Sequence, residues 1–279
     1  MKISYLGTTM LLFDDGKDQL LFDCHVTRPS FIKCLLGKFE TDISVSESVI
    51  TDCKINRLRG IFISHSHHDH VMDAPFFALR CNAHIYGSES SLNVARGGNV
   101  EEEKIHSFEE CREFSIGDFR IKVLDSIHSV PHWYNNNIGK TIDEPLTQPA
   151  KKKAYKEGGS YDFLVSSRGK SYLIRPSYNY ICGQLDEIHA DILFLGIGGL
   201  SKDSKGRHAA FFSETVDKVK PETVIPIHWD NFFTPLYDGV KKMPRLAEDT
   251  DRSLSITKEY CESHNTEFRL LEPLETIEI

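Results

Sequence analysis

The alternation of apolar runs and turn residues along the chain predicts three β-hairpins. In the first, two apolar runs flank Asp14–Lys17, where an Asp-Gly step favours the positive φ of a tight turn. Two further pairs of runs surround glycine-containing turns in the same way. The paired runs are Met10–Phe13 with Gln19–Phe22, Phe114–Ile116 with Phe119–Leu124, and Tyr161–Val165 with Tyr172–Ile174.

Three continuous apolar runs, at residues 60–63, 192–195 and 224–227, predict strands that are buried on both faces. Each run ends in a polar or glycine-rich segment, where α/β folds place their chemistry. Helix-like stretches lie between these strands and indicate a mixed α/β fold with antiparallel hairpins. The predicted helices are Met72–Cys81, Ser88–Ala95, Ser213–Val219 and Ser253–His264.

Two long segments, residues 25–50 and 134–160, fit no regular element. Segments of this length in a compact domain are usually lids or binding loops, and disorder is the alternative. We therefore expect these two segments to shape substrate specificity, and we expect residues 134–160 to cover a binding site.

Length and composition are those of a self-sufficient globular protein. The 279 residues are 40% hydrophobic and 27% charged. Length alone allows one large domain or two small ones, but no composition break marks a linker, so we expect one domain over residues 1–279. The seven cysteines are scattered and include no CxxC pair, so we expect reduced thiols. A net charge of −8 disfavours nucleic acid as a partner. The sequence leaves the oligomeric state open, with a homo-oligomer as one option.

The N-terminal residues and the apolar runs also bear on location. No run approaches the roughly 20 apolar residues that cross a bilayer, so we expect no membrane span. The first 18 residues become acidic before the apolar region of an export signal could form. These features predict a cytoplasmic protein.

The segment that follows the strand at residues 60–63 carries four imidazoles and a carboxylate within six residues. Side chains alternate along an extended chain, so His65 and His67 lie on the same side. A turn after them aims Asp69 and His70 at a neighbouring point, which suits zinc or another borderline divalent ion. A histidine-rich surface turn is the structural alternative. A redox di-iron site is a further alternative, but such sites carry Glu where this chain has His67.

With these residues in this order, the chain resembles the metallo-β-lactamase-fold superfamily over almost its whole length. The resemblance implies a four-layer αβ/βα sandwich, in which two mixed sheets flanked by helices hold the metals in a cleft at one edge. It implies that Asp23 is a structural residue beneath the metals. The implied ligands are His65, His67 and His128 for the first metal, and Asp69, His70 and His228 for the second.

The sequence departs from the family at the fourth motif. Most members place a bridging Asp there, whereas this chain has Ser177. A branch of metal-dependent hydrolases in the superfamily is similar in this respect and in the His-Trp-Asp ending at His228. Losing the carboxylate raises the net charge of a two-metal centre by one, so the second ion binds more weakly or the cleft attracts anionic groups more strongly. We expect reduced affinity at the second site.

Other residues near the motifs are weaker candidates. His68 and His132 are less convincing ligands, and His25, His189, His208 and His264 are interpreted as ordinary polar residues. Four residues next to the motifs are candidates for lining the substrate pocket. Packing in the hydrophobic core explains the three aromatic ones equally well. These neighbours are Tyr134, Tyr178, Trp229 and Asp230.

The resemblance and the histidine pattern together predict a metal-dependent hydrolase. A metal-bound hydroxide would attack a small or medium-sized ester, lactone or phosphoester, which is a small-molecule substrate with an anionic group as one option. We expect Asp69 and His70 to be the catalytic residues and one or two Zn²⁺ ions to be bound, with Mn²⁺ or Fe²⁺ as alternatives. The competing hypothesis is a non-catalytic metal-binding protein of the same fold with a regulatory or scaffolding role.

Overall fold

The computed structural model describes residues 1–130 and 137–279, in which fourteen strands form two seven-stranded sheets. In the first sheet three strand pairs are antiparallel and three are parallel. Its strands in spatial order are β14 (Glu275–Glu278), β1 (Lys2–Gly7), β2 (Met10–Asp14), β3 (Gln19–Phe22), β4 (Leu58–Phe62), β5 (His84–Gly87) and β6 (Ile105–Ser107).

The second sheet repeats this arrangement with an antiparallel half and a parallel half. Parallel pairing begins where strand β10 meets β11, and the carboxyl ends of these strands therefore share one edge. The strands in spatial order are β13 (Glu267–Phe268), β12 (Thr223–Ile227), β11 (Ile192–Gly196), β10 (Lys170–Arg175), β9 (Ser160–Ser167), β8 (Phe119–Ser126) and β7 (Glu113–Ile116).

Helices cover the outer faces of both sheets. Three short 3-10 helices add single turns at Glu102–Lys104, Lys152–Ala154 and Leu200–Lys202. The α-helices are α1 (Phe31–Leu36), α2 (Ile43–Asp52), α3 (His68–Val71), α4 (Ala74–Cys81), α5 (Glu89–Gly97), α6 (Lys205–Val219) and α7 (Thr250–Ser263).

The main core lies between the two sheets and is rich in aromatic rings. Phe13 of β2 makes an edge contact with Tyr172 of β10, with 5.2 Å between ring centroids. Phe22 of β3 lies 5.4 Å from Phe163 of β9. Large rings suit this interface because each buries more apolar area than an aliphatic side chain and because edge contacts are favourable. The sheets are therefore packed face to face by residues from opposite halves of the sequence.

The outer layers complete a four-layer sandwich. On the first sheet, α4 buries Phe77 and α2 buries Val49 in a second apolar cluster that includes Ile61 of β4. On the second sheet, α6 contributes Phe211 and α7 contributes Cys261 to the main cluster. The order of layers is helix, sheet, sheet, helix, which confirms the expected αβ/βα sandwich.

The strand predictions agree with the structure. All three hairpins form, and the three continuous apolar runs are the parallel strands β4, β11 and β12. Helix boundaries differ more. The predicted helix from Ser213 begins eight residues earlier, at Lys205, because the Ser204 hydroxyl accepts a hydrogen bond from the Arg207 N–H and caps the first turn.

The prediction that residues 25–50 lack regular structure is wrong. Helices α1 and α2 lie in this segment, and each begins at a side chain that caps it: Ser30 accepts from the Lys33 N–H and Asp42 from the Val45 N–H. The sequence hid both helices because α1 points its apolar residues outward and α2 is rich in serine and β-branched residues, which favour helices weakly.

Residues 137–159, the described part of the second long segment, pack on the first half of the chain, and the covering role of residues 134–160 stays a prediction. Asn93 of α5 donates to the Ile142 carbonyl, and the Leu146 N–H donates to the Asn93 carbonyl. Phe39 pairs with Ala150 through two backbone hydrogen bonds. Tyr134 and His132 lie outside the described residues. Across the described ranges, the helices are too short or too polar to span a bilayer.

Candidate metal centre

Strand β4 delivers the histidine cluster to the carboxyl edge of the first sheet. After Phe62 the chain bends at Ser64, and it is extended at His67, whose φ of −66° and ψ of 151° precede the first turn of α3. The change from extended to helical backbone turns Asp69 and His70 to a point beside His65. The spacing of these residues in the sequence predicted that a turn after His67 would place Asp69 and His70 beside His65.

The first set of donors is His65, His67 and His128. Their ligand atoms lie within 4.8 Å of one another. The His128 ring, which follows β8 of the second sheet, is 4.8 Å from the His65 ring and 4.7 Å from the His67 ring. Two strands from different sheets therefore bring His128 to two imidazoles that lie more than 60 residues earlier in the sequence.

The second set of donors is Asp69, His70 and His228, again with ligand atoms within 4.8 Å of one another. One carboxylate oxygen of Asp69, Oδ2, lies 3.7 Å from His70 Nε2 and 3.6 Å from His228 Nε2. The His65 and His70 rings are 3.7 Å apart, so the two sets are adjacent.

Asp23 lies beneath the second set and fixes the orientation of His70. Its Oδ2 accepts a hydrogen bond from His70 Nδ1 at 2.7 Å and another from the Thr9 hydroxyl, while Oδ1 accepts from the Ser64 N–H. Because Nδ1 of His70 donates to Asp23, the lone pair of the neutral ring lies on Nε2, which faces Asp69. The structural position expected for Asp23 is the one observed.

Asn137 orients His67, and nothing in the sequence pattern indicated it. The Asn137 side-chain amide donates to the Tyr155 carbonyl at 2.7 Å, which leaves its oxygen to accept from His67 Nε2 at 2.9 Å. The lone pair of His67 is then on Nδ1. His128 is oriented similarly, since its Nδ1 donates to the Ser129 carbonyl. The lone pair of the neutral His128 ring is then on Nε2, which is the atom that can bind a metal ion.

The side chains present fit a divalent ion. His65 Nε2 is buried and has no hydrogen-bond partner in the described structure, which is costly for a polar atom unless a ligand occupies it. Burial also lowers the pKa of His65, His67 and His128, and neighbouring imidazoles lower the pKa of each further. Neutral imidazole is the form that binds a metal, so burial prepares these rings as ligands.

Asp69 keeps its charge although it is buried. Burial alone would raise its pKa, but the neighbouring imidazoles of His68, His70 and His228 hold the pKa well below the usual value for aspartate. Its second oxygen, Oδ1, lies 3.3 Å from His68 Nδ1. One carboxylate oxygen is thus fixed by His68 while the other faces the second donor set.

His228 reaches the centre through an unusual backbone conformation. It has a φ of 59°, and its N–H donates to the Thr8 carbonyl at 2.5 Å. Burial alone would lower the His228 pKa, but the Asp69 carboxylate 3.6 Å away raises it overall. A Cβ at Gly198, in the turn after β11, would lie 3.1 Å from His228 Nδ1, which is closer than an ordinary van der Waals contact. The absence of a side chain at Gly198 therefore lets the His228 ring lie close to this turn.

Ser177 lies at the end of β10, in a turn held against the His128 loop. The Tyr178 N–H donates to the Ser129 hydroxyl at 2.9 Å, and the Asn179 side chain donates to the His128 carbonyl at 2.7 Å. Ser177 is buried, so the turn that contacts the His128 loop carries a neutral hydroxyl at the position of the bridging carboxylate.

The histidines that the sequence analysis set aside differ in their surroundings. His189 and His264 are exposed, and buried His208 donates to the Leu200 carbonyl, as ordinary polar residues do. His68 is buried between Asp69 and Cys34, and burial lowers its pKa to about 4. The interpretation of His25 as an ordinary polar residue is wrong: it is fully buried, and neither ring nitrogen has a hydrogen-bond partner in the described structure.

The suggestion that Tyr178, Trp229 and Asp230 line the pocket is not supported. Both aromatic rings belong to the main core. Asp230 is buried in a polar cluster, where it accepts from the Tyr5 hydroxyl and the Thr8 N–H and pairs with Arg28 at 2.7 Å. Since Thr8 also holds the His228 N–H, this cluster supports the second donor set from behind.

The sequence matches the family model described as Beta-lactamase superfamily domain over residues 48–229. The match runs from the middle of α2 to Trp229 and includes all six donors as well as Ser177. The chain belongs to this family. The two-sheet sandwich described above is the fold that its solved relatives share.

Relatives of this Beta-lactamase superfamily member include a protein of Carboxydothermus hydrogenoformans named UPF0173 metal-dependent hydrolase. It is 24% identical over 233 residues, which cover 83% of this chain and 86% of the relative. Among solved structures, the metallo hydrolase Igni18 of Ignicoccus hospitalis has a TM-score of 0.60 at 14% identity, covering 99% and 97% of the two chains. YhfI of Bacillus subtilis, a metallo-beta-lactamase fold protein, has a TM-score of 0.61 at 14% identity, covering 99% of each.

Proposed function

We propose that the chain is a metal-dependent hydrolase that acts on small or medium-sized ester, lactone or phosphoester substrates. The observation that carries the proposal is the convergence of two three-residue donor sets, with His65 Nε2 buried and unpartnered between them. The name of the Carboxydothermus hydrogenoformans relative supports the same class of reaction.

The proposed ligands are His65, His67 and His128 for one ion and Asp69, His70 and His228 for the other. Imidazole nitrogens with one carboxylate suit Zn²⁺, and Mn²⁺ or Fe²⁺ are alternatives. A divalent ion bound by such a set lowers the pKa of coordinated water from about 15.7 towards about 7, which supplies a nucleophile at neutral pH.

The protein's own part of the reaction is orientation. Asp69 stays ionised, so its Oδ2 can accept a hydrogen bond from the attacking water. Its other oxygen, Oδ1, contacts His68. His70 is held by Asp23 and presents Nε2 to the same point. Asp69 and His70 are therefore the proposed catalytic residues, and Asn137 and Asp23 are positioning residues.

Ser177, in place of a bridging aspartate, supports a centre whose two donor sets differ in their affinity for a metal ion. Without a bridging carboxylate a centre with both ions bound carries one more positive charge, so we expect the ion of the second set, Asp69, His70 and His228, to be held more weakly. When both ions are present, the extra positive charge favours substrates with a phosphate or carboxylate group. Residues 1–279 act as one domain in this proposal, because each donor set takes residues from both sheets.

A turnover assay with metal removal tests this proposal. Chromogenic ester, lactone and phosphodiester substrates are incubated with Zn²⁺-loaded protein, with protein dialysed against a chelator, and with the His67→Ala variant. We expect turnover only in the loaded wild type, with activity restored to the dialysed protein by Zn²⁺. His189→Ala, which changes an exposed imidazole, is the control and should keep full activity.

Two results would contradict the proposal. If the loaded protein bound metal but turned over none of the three substrate classes, the non-catalytic regulatory or scaffolding hypothesis would gain support. If His67→Ala hydrolysed a substrate as fast as the wild type, the activity would not belong to this centre.

A further inference from the structure

Helix α1 places large apolar side chains in solvent. Phe31, Ile32, Leu35 and Leu36 are 58, 69, 64 and 75% exposed, and only Cys34 of this helix is buried. These four residues are called the α1 surface below. A surface helix normally turns its apolar face to the core, and exposed apolar patches of several hundred Å² on monomers often mark a binding site.

The α1 surface borders the candidate metal centre. On the inner side of the helix, Cys34 Sγ is 3.7 Å from His68 Nε2, and His68 contacts Asp69. Phe31 also begins a path of aromatic rings to the centre, passing through Phe233 and Phe232 to His228. The successive ring centroids along it are 5.4, 4.4 and 5.4 Å apart.

Basic residues accompany this apolar path. The α1 segment, residues 29–39, contains Lys33 and Lys38 and no acidic residue. Residues 239–246, which follow the Phe232–Phe233 turn, contain Lys241, Lys242 and Arg245 and no acidic residue. Lys242 pairs with Asp251 of α7. In a chain of net charge −8, the other four basic residues of these two segments favour an anionic group near the α1 surface.

We propose that the α1 surface binds the apolar tail of an amphiphilic substrate whose anionic head group lies at the two donor sets. This inference rests on the proposed function and adds the substrate class: a phosphoester or ester with a long alkyl or acyl chain. A continuous run of rings from α1 to His228 provides the tail's path, and the basic residues favour the head group.

A second copy of the chain is a less suitable occupant. A standard protein interface buries about 800 Å² on each partner, whereas four side chains on a six-residue helix offer only part of that area. An apolar tail needs a smaller contact area than a second copy does. Each methylene that leaves water contributes about 0.8 kcal/mol to binding. The affinity for the tail should therefore rise up to about fourfold with each methylene that contacts the α1 surface.

Calorimetric binding of alkyl phosphates to the Zn²⁺-loaded chain tests the inference without requiring turnover. Butyl, octyl and decyl phosphate are titrated below their micelle concentrations into wild type, into the double variant Ile32→Ser with Leu36→Ser, and into Leu79→Ser. Leu79 is 50% exposed on α4 and serves as the matched control. We expect affinity to rise at least tenfold from butyl to decyl phosphate in wild type and control, and to stay nearly flat in the double variant.

The outcomes separate the two proposals. Equal affinities along the series in the wild type, or an unchanged series in the double variant, would overturn the α1 assignment while leaving hydrolysis intact. A wild-type dimer that the double variant converts to a monomer, measured by light scattering, would also overturn it in favour of a second copy. Chain-length dependence without turnover of any substrate class would support the α1 surface and contradict the hydrolase proposal.

Discussion

The Asp69→Asn variant should lose about 10³-fold in kcat and most of the metal at the second site, while the first site keeps its ion. Asparagine preserves the volume of Asp69 but removes the one negative charge of the second donor set. It also removes the oxygen that faces both His70 and His228. Metal-based charge stabilisation is worth several kcal/mol in the transition state, and each 1.36 kcal/mol is a factor of ten.

Initial rates and elemental analysis of the same dialysed samples measure the two effects. Asp186→Asn, at an exposed carboxylate paired with Lys218, is the control and should match the wild type. Wild-type rates in Asp69→Asn would show that Asp69 neither holds an ion nor orients the nucleophile. A wild type that retains two ions per chain through extended dialysis would contradict the weaker second site expected from Ser177.

The Asp230→Ala variant is expected to lower the free energy of unfolding by about 3–5 kcal/mol. The substitution leaves the Arg28 guanidinium buried without its carboxylate, and it removes the acceptor for the Tyr5 hydroxyl and the Thr8 N–H. Breaking one partner of a buried ion pair costs this much because the remaining charge stays out of water. Arg28 cannot move freely, since its guanidinium fills the space beside Gly7.

Denaturant unfolding of the metal-free protein measures this loss. The double variant Arg28→Met with Asp230→Ala should regain part of the stability, because both charges are then absent. Asp186→Ala removes an exposed partner and should cost less than about 1 kcal/mol. A loss below about 1 kcal/mol in Asp230→Ala, or no recovery in the double variant, would contradict the role given to the Arg28–Asp230 pair.

The parts of the centre that the sequence predicted depend on local spacing. Strand alternation and the turn into α3 account for His65, His67, Asp69 and His70 within six residues. His128 and His228 follow strands β8 and β12, but their meeting with the cluster depends on how two sheets pack. No local pattern encodes that packing, and the resemblance to a known family supplied their order.

The residues that sequence analysis missed act through contacts between distant segments. Asn137 meets His67 across 70 positions, and Arg28 meets Asp230 across 202. His25 looked like any polar residue, and only the packing of His68 and Phe232 around it reveals its burial. Helix α1 was missed because its apolar residues point outward, so their spacing does not report a core.

The central claim is that two divalent ions occupy the two donor sets. The most direct measurement is anomalous diffraction at the zinc absorption edge from crystals of the Zn²⁺-loaded protein. Our account predicts a strong peak among His65, His67 and His128 and a weaker one among Asp69, His70 and His228. Anomalous peaks found only away from these six side chains would contradict it.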